Sequence, residues 1–375
     1  MPNWLENLLG SLYTRIPRSV RPFFKRVFLW VQIRIAALVS GRRVRSGRRV
    51  AFLDFEIAYL DSFEYLSPRS NEVEVAVRAS TISPGTERAV LCGLPGARRS
   101  FPYYPGYSCS GEVAQVGSGI SNFRSGDRVA GRIRHVSGES VGTAFLFHVP
   151  DGVSFESASF IELGIITLQG IRKAGIVPGD IVAVLGQGLI GQLANRMARM
   201  AGAAKVIAIA PSRNRAATAL ASGGATEFIE MRLPSFDPTA VAADIVIEAV
   251  GTPDAIVTAT RCARPGGRVV LLGSSRGLSR EVDLGELVQR KSIELVGAHI
   301  SDMPDAETSP GRHTYRQEGN LFLEMLRSGR LSVSDLVTWR AAPGDCNAVY
   351  EKLAKGGGEH VAIVFDWKPA AKMLH

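Results

Sequence analysis

The chain has 375 residues, 46% of them hydrophobic and 39 of them glycine, with a net charge of +9. That length allows two domains with cores of their own, and the lack of solenoid repeats or low-complexity tracts excludes a fibrous or disordered chain. Its four cysteines, Cys92, Cys109, Cys262 and Cys346, stand far apart with no C-x-x-C pair, so neither a disulfide framework nor a cysteine zinc knuckle is suggested, and a reducing cytoplasm fits.

The charge is unevenly placed. Residues 1–50 hold 11 Lys plus Arg against one acid, Glu6, so this leader carries +10 and the other 325 residues sum to −1. Within it, Pro22 suits the first turn of a helix, and Phe23 to Val39 reads as helix until Gly41. On a helical wheel Arg21, Lys25 and Gln32 share one side, while Phe24, Val27, Phe28, Val31 and Ile35 share the other, with Arg34 near its edge. Lys25, Arg26 and Arg34 interrupt the apolar run, which argues against a spanning helix, and no small-residue cleavage site marks a signal peptide. Three readings stay open for residues 1–49: a helix on an anionic membrane surface, aided by Trp4 and Trp30, a helix docked on the body or on a second subunit, and, less favoured, a nucleic-acid arm.

From Val50 the texture changes to strands, VAFLDFEIAYL and EVEVAVRAST, with the alternation of half-buried β structure. Glycine- and proline-punctuated loops follow, and residues 50 to about 160 read as a β-rich domain. Next comes IVAVLGQGLIGQLANRMARMAGAAKVIAIAPSR (181–213), the centre of the chain. An apolar run, Ile181 to Leu185, enters a turn with Gly186, Gly188 and Gly191 at the G-x-G-x-x-G spacing. A helix from Leu189 and a second apolar run, Val206 to Ala210, complete a β-α-β unit. In such a unit the first glycine allows the tight turn, the second lets backbone approach a pyrophosphate, and the third lets helix pack on strand. The helix start, with Leu189 and Ile190, offers N–H groups to the phosphates.

A preference for NAD is usually written as Asp or Glu about 20 residues after the first glycine. Here Ala210 ends the strand, followed by Ser212, Arg213 and Arg215. Lack of the carboxylate removes repulsion against a 2′-phosphate, and Arg213 or Arg215 is placed to hold it, with Ser212. NADP(H) is therefore expected ahead of NAD(H). The alternation continues through ADIVIEAVG (243–251), a helix after Thr252, RVVLLGSS (268–275), a helix near 318–329 and a last strand, HVAIVFDW. Ligands bind at the carboxyl ends of such strands, so Gly251, Thr252, Gly273 and Ser274 should border the nicotinamide.

These signposts resemble the medium-chain dehydrogenase/reductase family over residues 50–367: PGTE followed by PGYSCSGEVAQVG, SGDRV, VPDGVSFESASFIELGIITLQGI, LGQGLIGQ, EAVGT, GGRVVLLG and a closing strand. The pairing of SPGTE with GYS looks most like the branch holding bacteriochlorophyllide dehydrogenase and sugar-cluster oxidoreductases. The resemblance implies a Rossmann doubly wound parallel sheet (166–294) inserted in a β-rich GroES-like catalytic domain (50–165 and 295–375). It also implies hydride exchange with a small-molecule substrate, a homo-oligomer, and Thr167 among the cofactor-binding residues.

The departures are as informative. Where zinc alcohol dehydrogenases of this family read C-G-T-D, this chain has Pro84, Gly85, Thr86 and Glu87; their G-H-E becomes Gly106, Tyr107 and Ser108; their third ligand falls around Glu162 or Leu163. The four-cysteine structural lobe has no counterpart. Zinc needs three or four converging Cys, His or carboxylate ligands, so no zinc is expected. Thr86 keeps the family's relay hydroxyl and Tyr107 stands where a histidine stood, which makes them the candidates for proton transfer; the plainer alternative is that Tyr107 only fills space. Lys291 and His299 are weaker candidates. Reduction of an activated C=C bond, as in enoyl or quinone reductases, and NADPH binding without turnover remain as alternative functions.

Overall fold

The computed structural model describes residues 21–98, 100–274, 276–278, 283–304, 313–356 and 360–367, with the backbone alone for 21–26. The leader positions Trp4 and Glu6, and Ser275 at the end of one expected strand, lie outside the described residues, as do the side chains of Arg21, Phe24 and Lys25.

Helix α1 (Arg21–Ser40) lies against a long antiparallel hairpin, β1 (Val44–Asp54) and β2 (Ile57–Leu66). Three expectations need correcting here. The run expected as one strand from Val50 turns at Phe55 and Glu56, and the boundary placed at Val50 falls inside β1. The cause is the basic composition of Val44 to Arg49, which hides an ordinary strand: Arg49 sits between the Phe63 and Tyr104 rings and pairs with buried Asp61 at 3.0 Å. The helix is also turned from its expected orientation. Phe28, Leu29, Gln32, Ile33 and Ala37 are half-buried, whereas Val27, Trp30, Val31 and Ile35 are exposed. Arg34 is drawn to Glu64 of β2 (Nη2–Oε1 2.6 Å), and this pairing helps set the rotation of the helix against the hairpin. Among the described residues no helix is long and apolar enough to cross a membrane.

Beyond the hairpin come β3 (Glu72–Thr81), α2 (Pro84–Leu91), β4 (Cys109–Val116), β5 (Arg128–Gly131), β6 (Gly138–Gly142) and β7 (Leu146–His148). Helix α3 (Ile161–Ala174) leads into β8 (Ile181–Leu185), α4 (Leu189–Met200), β9 (Lys205–Ala210), β10 (Glu227–Glu230), β11 (Ala243–Glu248), α5 (Pro253–Cys262), β12 (Ala263–Leu271) and β13 (Glu294–Gly297). The chain closes with α6 (Tyr315–Arg327), β14 (Val337–Ala341), α7 (Cys346–Lys355) and β15 (Ala362–Asp366).

Strands β8 to β13 form one parallel sheet in the order β10-β9-β8-β11-β12-β13. Helices cover such a sheet on both faces, which is why IVAVL of β8 and KVIAIA of β9 are buried almost throughout instead of alternating. The order reverses between β8 and β11, and a doubly wound sheet opens its ligand crevice at that point. A second sheet runs β14-β15-β3-β4-β5-β7, with β6 also on β3. Strand β15 pairs antiparallel with β3, Val364 opposite Thr81, so the end of the chain completes a sheet begun near its start.

Candidate active site

A cavity of about 1230 Å³ lies between the two sheets. Its first wall is the carboxyl edge of the parallel sheet. Gly186 has φ +98°, and a Cβ there would meet Val250 Cγ2 at 2.6 Å; a Cβ on Gly191 would overlap the carbonyl oxygen of Gly186. Both glycines are demanded by the fold. Gly188 differs: a Cβ on it would meet only Arg215 Nη1, at 3.7 Å, so the protein itself does not need the position bare. Gly188, Leu189 and Ile190 line the cavity at the start of α4, as a turn that admits a pyrophosphate would. Farther along the same edge, Glu248 is fully buried and its Oε1 accepts the N–H groups of Val250 (2.7 Å) and Gly251 (2.8 Å). Burial pushes its carboxyl pKa up while those two N–H groups pull it down. The bend it holds sets Ala249, Val250, Gly273 and Ser274 against the cavity.

The second wall carries side chains. Thr86, in the first turn of α2, and Tyr107, just before β4, both face the cavity. Burial is the main influence on Tyr107 and pushes its phenol up to about 12, against hydrogen bonds from the Ser83 and Thr86 hydroxyls that favour the phenolate. The hydroxyl is therefore protonated throughout the neutral range and acts as a hydrogen-bond donor, a weaker acid than its unperturbed value of about 10 implies. Behind it Glu87 is buried. Its Oε1 accepts the Ser83 N–H at 2.8 Å, its Oε2 accepts from Tyr350, and His135 Nε2 lies 3.2 Å from Oε2. His135 Nδ1 is in turn 2.8 Å from Ser80 Oγ, which also accepts from Trp367 Nε1 at 2.9 Å. This network anchors the loop that presents Thr86.

Deeper in the same wall Glu162, at the start of α3, accepts Nε (3.2 Å) and Nη2 (3.0 Å) of Arg132 on Oε2, and the Tyr315 hydroxyl on Oε1. Burial lifts its carboxyl to about 7 despite the guanidinium beside it. The donor set expected for a family zinc does not fit the metal. Proline offers no ligand atom at 84, position 107 is a phenol, Ser108 donates its hydroxyl to the Ser159 carbonyl (2.7 Å), and Glu162 is engaged by Arg132. Among the described residues no three His, Cys, Asp or Glu converge as a metal site.

Of the residues expected at the site, the fold brings Thr86, Tyr107, Gly188, Leu189, Ile190, Gly273 and Ser274 into one cavity, with His299 at its edge. Gly186, Gly191 and Gly251 support it from behind; Gly251 packs against the Ser274 backbone. Others are placed elsewhere. Thr167 is buried in α3, and its hydroxyl donates to the Leu163 carbonyl at 2.8 Å, the usual alternative use of a threonine inside a helix. Thr252 caps α5, accepting the Ala255 N–H. Lys291 donates to the carbonyls of Thr260, Arg261 and Ala263, closing the end of α5. Arg213 is exposed over the Phe228 ring, and Ser212 only precedes the turn at 213–215, whereas Arg215 turns inward and donates to the carbonyls of Gln187 (3.0 Å) and His360 (2.6 Å). Sequence reasoning missed Arg132, Tyr315, His135 and Tyr350, because no local spacing joins residues that meet across 30 to 263 positions.

Two family models match the chain: the alcohol dehydrogenase GroES-like domain over residues 69–148 and the zinc-binding dehydrogenase over residues 190–315, together more than half of it. Among curated proteins, sorbitol dehydrogenase of Bacillus subtilis is 28% identical over 46% of this chain, and the match spans 59% of that relative's length. D-guloside 3-dehydrogenase of Escherichia coli is 26% identical over 60% of this chain and 67% of its own. The crystal structure of galactitol-1-phosphate dehydrogenase from Escherichia coli superposes with a TM-score of 0.73 at 20% identity, covering 85% of this chain and 99% of that one, which is a likeness of fold.

Proposed function

The chain belongs to the medium-chain dehydrogenase/reductase family, a family of NAD(P)-dependent oxidoreductases, and from that premise we propose that it exchanges a hydride between a nicotinamide dinucleotide and a carbonyl or secondary alcohol without a catalytic zinc. One observation carries the reading: the hydroxyls of Thr86 and Tyr107 share a cavity with the Gly188 turn. A reduced dinucleotide bound there supplies the hydride from nicotinamide C4. The chain's own part is then positioning and proton transfer. The start of α4 takes the phosphates, and Gly273 and Ser274 border the nicotinamide. Tyr107 donates to the substrate oxygen, and when its proton moves there, the Ser83 and Thr86 hydroxyls stabilise the phenolate left behind.

Preference for NADP(H) is supported by Ala210 at the end of β9 and by the nearby arginines, with Arg215 the one turned toward the glycine loop. Opposing it, Glu230 pairs with Ala210 across the strands. The second enzymatic reading, reduction of an activated C=C bond, draws on the unsuitable zinc donor set, since hydride acceptance at carbon needs less electrophilic help at oxygen.

The test is NADPH consumption against ketones, sugars, enones and quinones, with and without chelator. Turnover of a ketone or sugar carbonyl that survives chelation is expected. Turnover of enones or quinones alone would move the function to C=C reduction, bound cofactor with no turnover would make it a binding protein, and about one zinc per chain lost together with activity would end zinc independence. Attachment of residues 1–50 to anionic membranes is a separate proposal, supported by the basic leader and the exposed Val27, Trp30, Val31 and Ile35. Full-length protein should cosediment with anionic vesicles; its staying in the supernatant would leave α1 as a docked helix alone.

A further inference from the structure

The cavity wall that lacks a metal set has a cation of its own. Arg132 follows β5 and reaches Glu162, in the stretch (Glu162 or Leu163) around which the family's third ligand falls. Both of its bonds go to one carboxylate oxygen, through Nε and Nη2, and Nη1 makes no hydrogen bond among the described residues. The guanidinium stands over the rings of Phe145 (4.4 Å) and Tyr315 (5.2 Å), which fix its plane. The two partners are unequally exposed: the Arg132 side chain is 39% accessible and that of Glu162 1%, so the positive group faces the cavity while the carboxylate lies behind it. Arg132 and Glu162 line the same cavity as the proton donor, Tyr107.

We propose that Arg132 is the electrophile of this cavity, hydrogen-bonding the substrate oxygen on which negative charge develops. The inference rests on the carbonyl-alcohol reading above. In the reducing direction the C4–H bond breaks with its electron pair, a C–H bond forms at the carbonyl carbon, and the C=O π pair moves to oxygen. The dinucleotide is oxidised and the carbonyl reduced. A guanidinium keeps its proton in proteins, so Arg132 stabilises the oxyanion without protonating it, and the proton comes from Tyr107. A fixed cation with an uncommitted N–H edge does by hydrogen bonding what a Lewis acid does by coordination. Glu162 and the two rings hold its orientation.

The bland alternative is an ion pair that merely joins β5 to α3. Three variants separate the two: Arg132→Met, Glu162→Gln and the double variant, followed by melting curves, NADPH titration and turnover on a carbonyl that the wild type reduces. In the structural case the single Arg132 variant suffers because it strands a buried carboxylate, so the double variant should recover both melting temperature and turnover. As an electrophile, Arg132 leaves the double variant folded and binding NADPH but about 10²- to 10³-fold slower, the range for losing one oxyanion donor. Partial rescue of Arg132→Ala by added guanidine is the further expected result. A double variant within a few-fold of wild type would overturn the inference while leaving carbonyl reduction intact. A wild type that reduces only C=C bonds would overturn the function first, and this inference with it.

Discussion

The two walls of the cavity are built from different materials. On the parallel-sheet side the cavity is bordered by the Gly188 turn, the start of α4, and the Gly273 and Ser274 edge. Buried side chains there, Glu248 and Gln187, act as braces, Gln187 donating to the Val184 carbonyl at 2.9 Å. The other side is bordered by the side chains of Thr86, Tyr107 and Arg132, with Glu162 behind Arg132 and held by Tyr315, and the Glu87 network next to Thr86 reaches Tyr350. A backbone site fails when a Cβ intrudes. A side-chain site keeps its shape when one polar group is removed and loses only the chemistry. The walls should therefore separate stability from activity.

The largest effect is expected where backbone contacts backbone. Gly191→Ala puts a methyl into the Gly186 carbonyl, and overpacking of this kind costs roughly 1–3 kcal/mol or more. Melting temperature should fall and NADPH binding should be lost, as read by thermal unfolding and cofactor fluorescence. Gly188→Ala should melt near wild type yet bind NADPH weakly. If it binds normally, the turn is not where the phosphates sit.

On the opposite wall Tyr107→Phe should reduce kcat about 10²-fold while melting temperature and NADPH affinity stay near wild type. Normal turnover, with chemistry rate-limiting, would return Tyr107 to a space-filling role. Between the walls stand the arginines. Arg215→Gln should weaken NADPH by about 1.5–3 kcal/mol, the range for a hydrogen bond to a charged group, and Arg213→Ala much less. Comparison with NADH sharpens the point: a loss confined to NADPH places Arg215 on the 2′-phosphate, and equal losses place it at the turn or the pyrophosphate.

The smallest effect is a pH dependence. The Glu162 carboxyl, faced by Arg132, Tyr315 and Tyr107, is raised to about 7 from an unfolded value of about 4.3, so its protonated form favours the folded state. That contribution is complete below about pH 4 and is lost as pH rises through about 7. Glu162→Gln should flatten the decline in melting temperature between about pH 4 and 7. An unchanged slope would assign the decline to other groups.

The sequence by itself determined the β-α-β unit, the glycine turn and the buried parallel strands, because each rests on local spacing: three glycines within six positions, and runs of apolar residues one strand long. It also showed that Pro84, Tyr107 and Ser108 make a poor zinc set, since ligand chemistry belongs to residue type. The tertiary structure alone decided what takes that place. Arg132 meets Glu162 and Tyr315 only when β5, α3 and α6 come together, and Glu87 finds Tyr350 only across 263 positions. It also decided that Arg215 and not Arg213 turns toward the glycine loop, because helical phase near the end of β9 does not say which side chain does so. The leader shows the same limit: its basic composition is plain in the chain, but that Val44 to Arg49 form a strand depends on β2 lying alongside. Local order is encoded by near neighbours, and the chemistry of this cavity by distant ones.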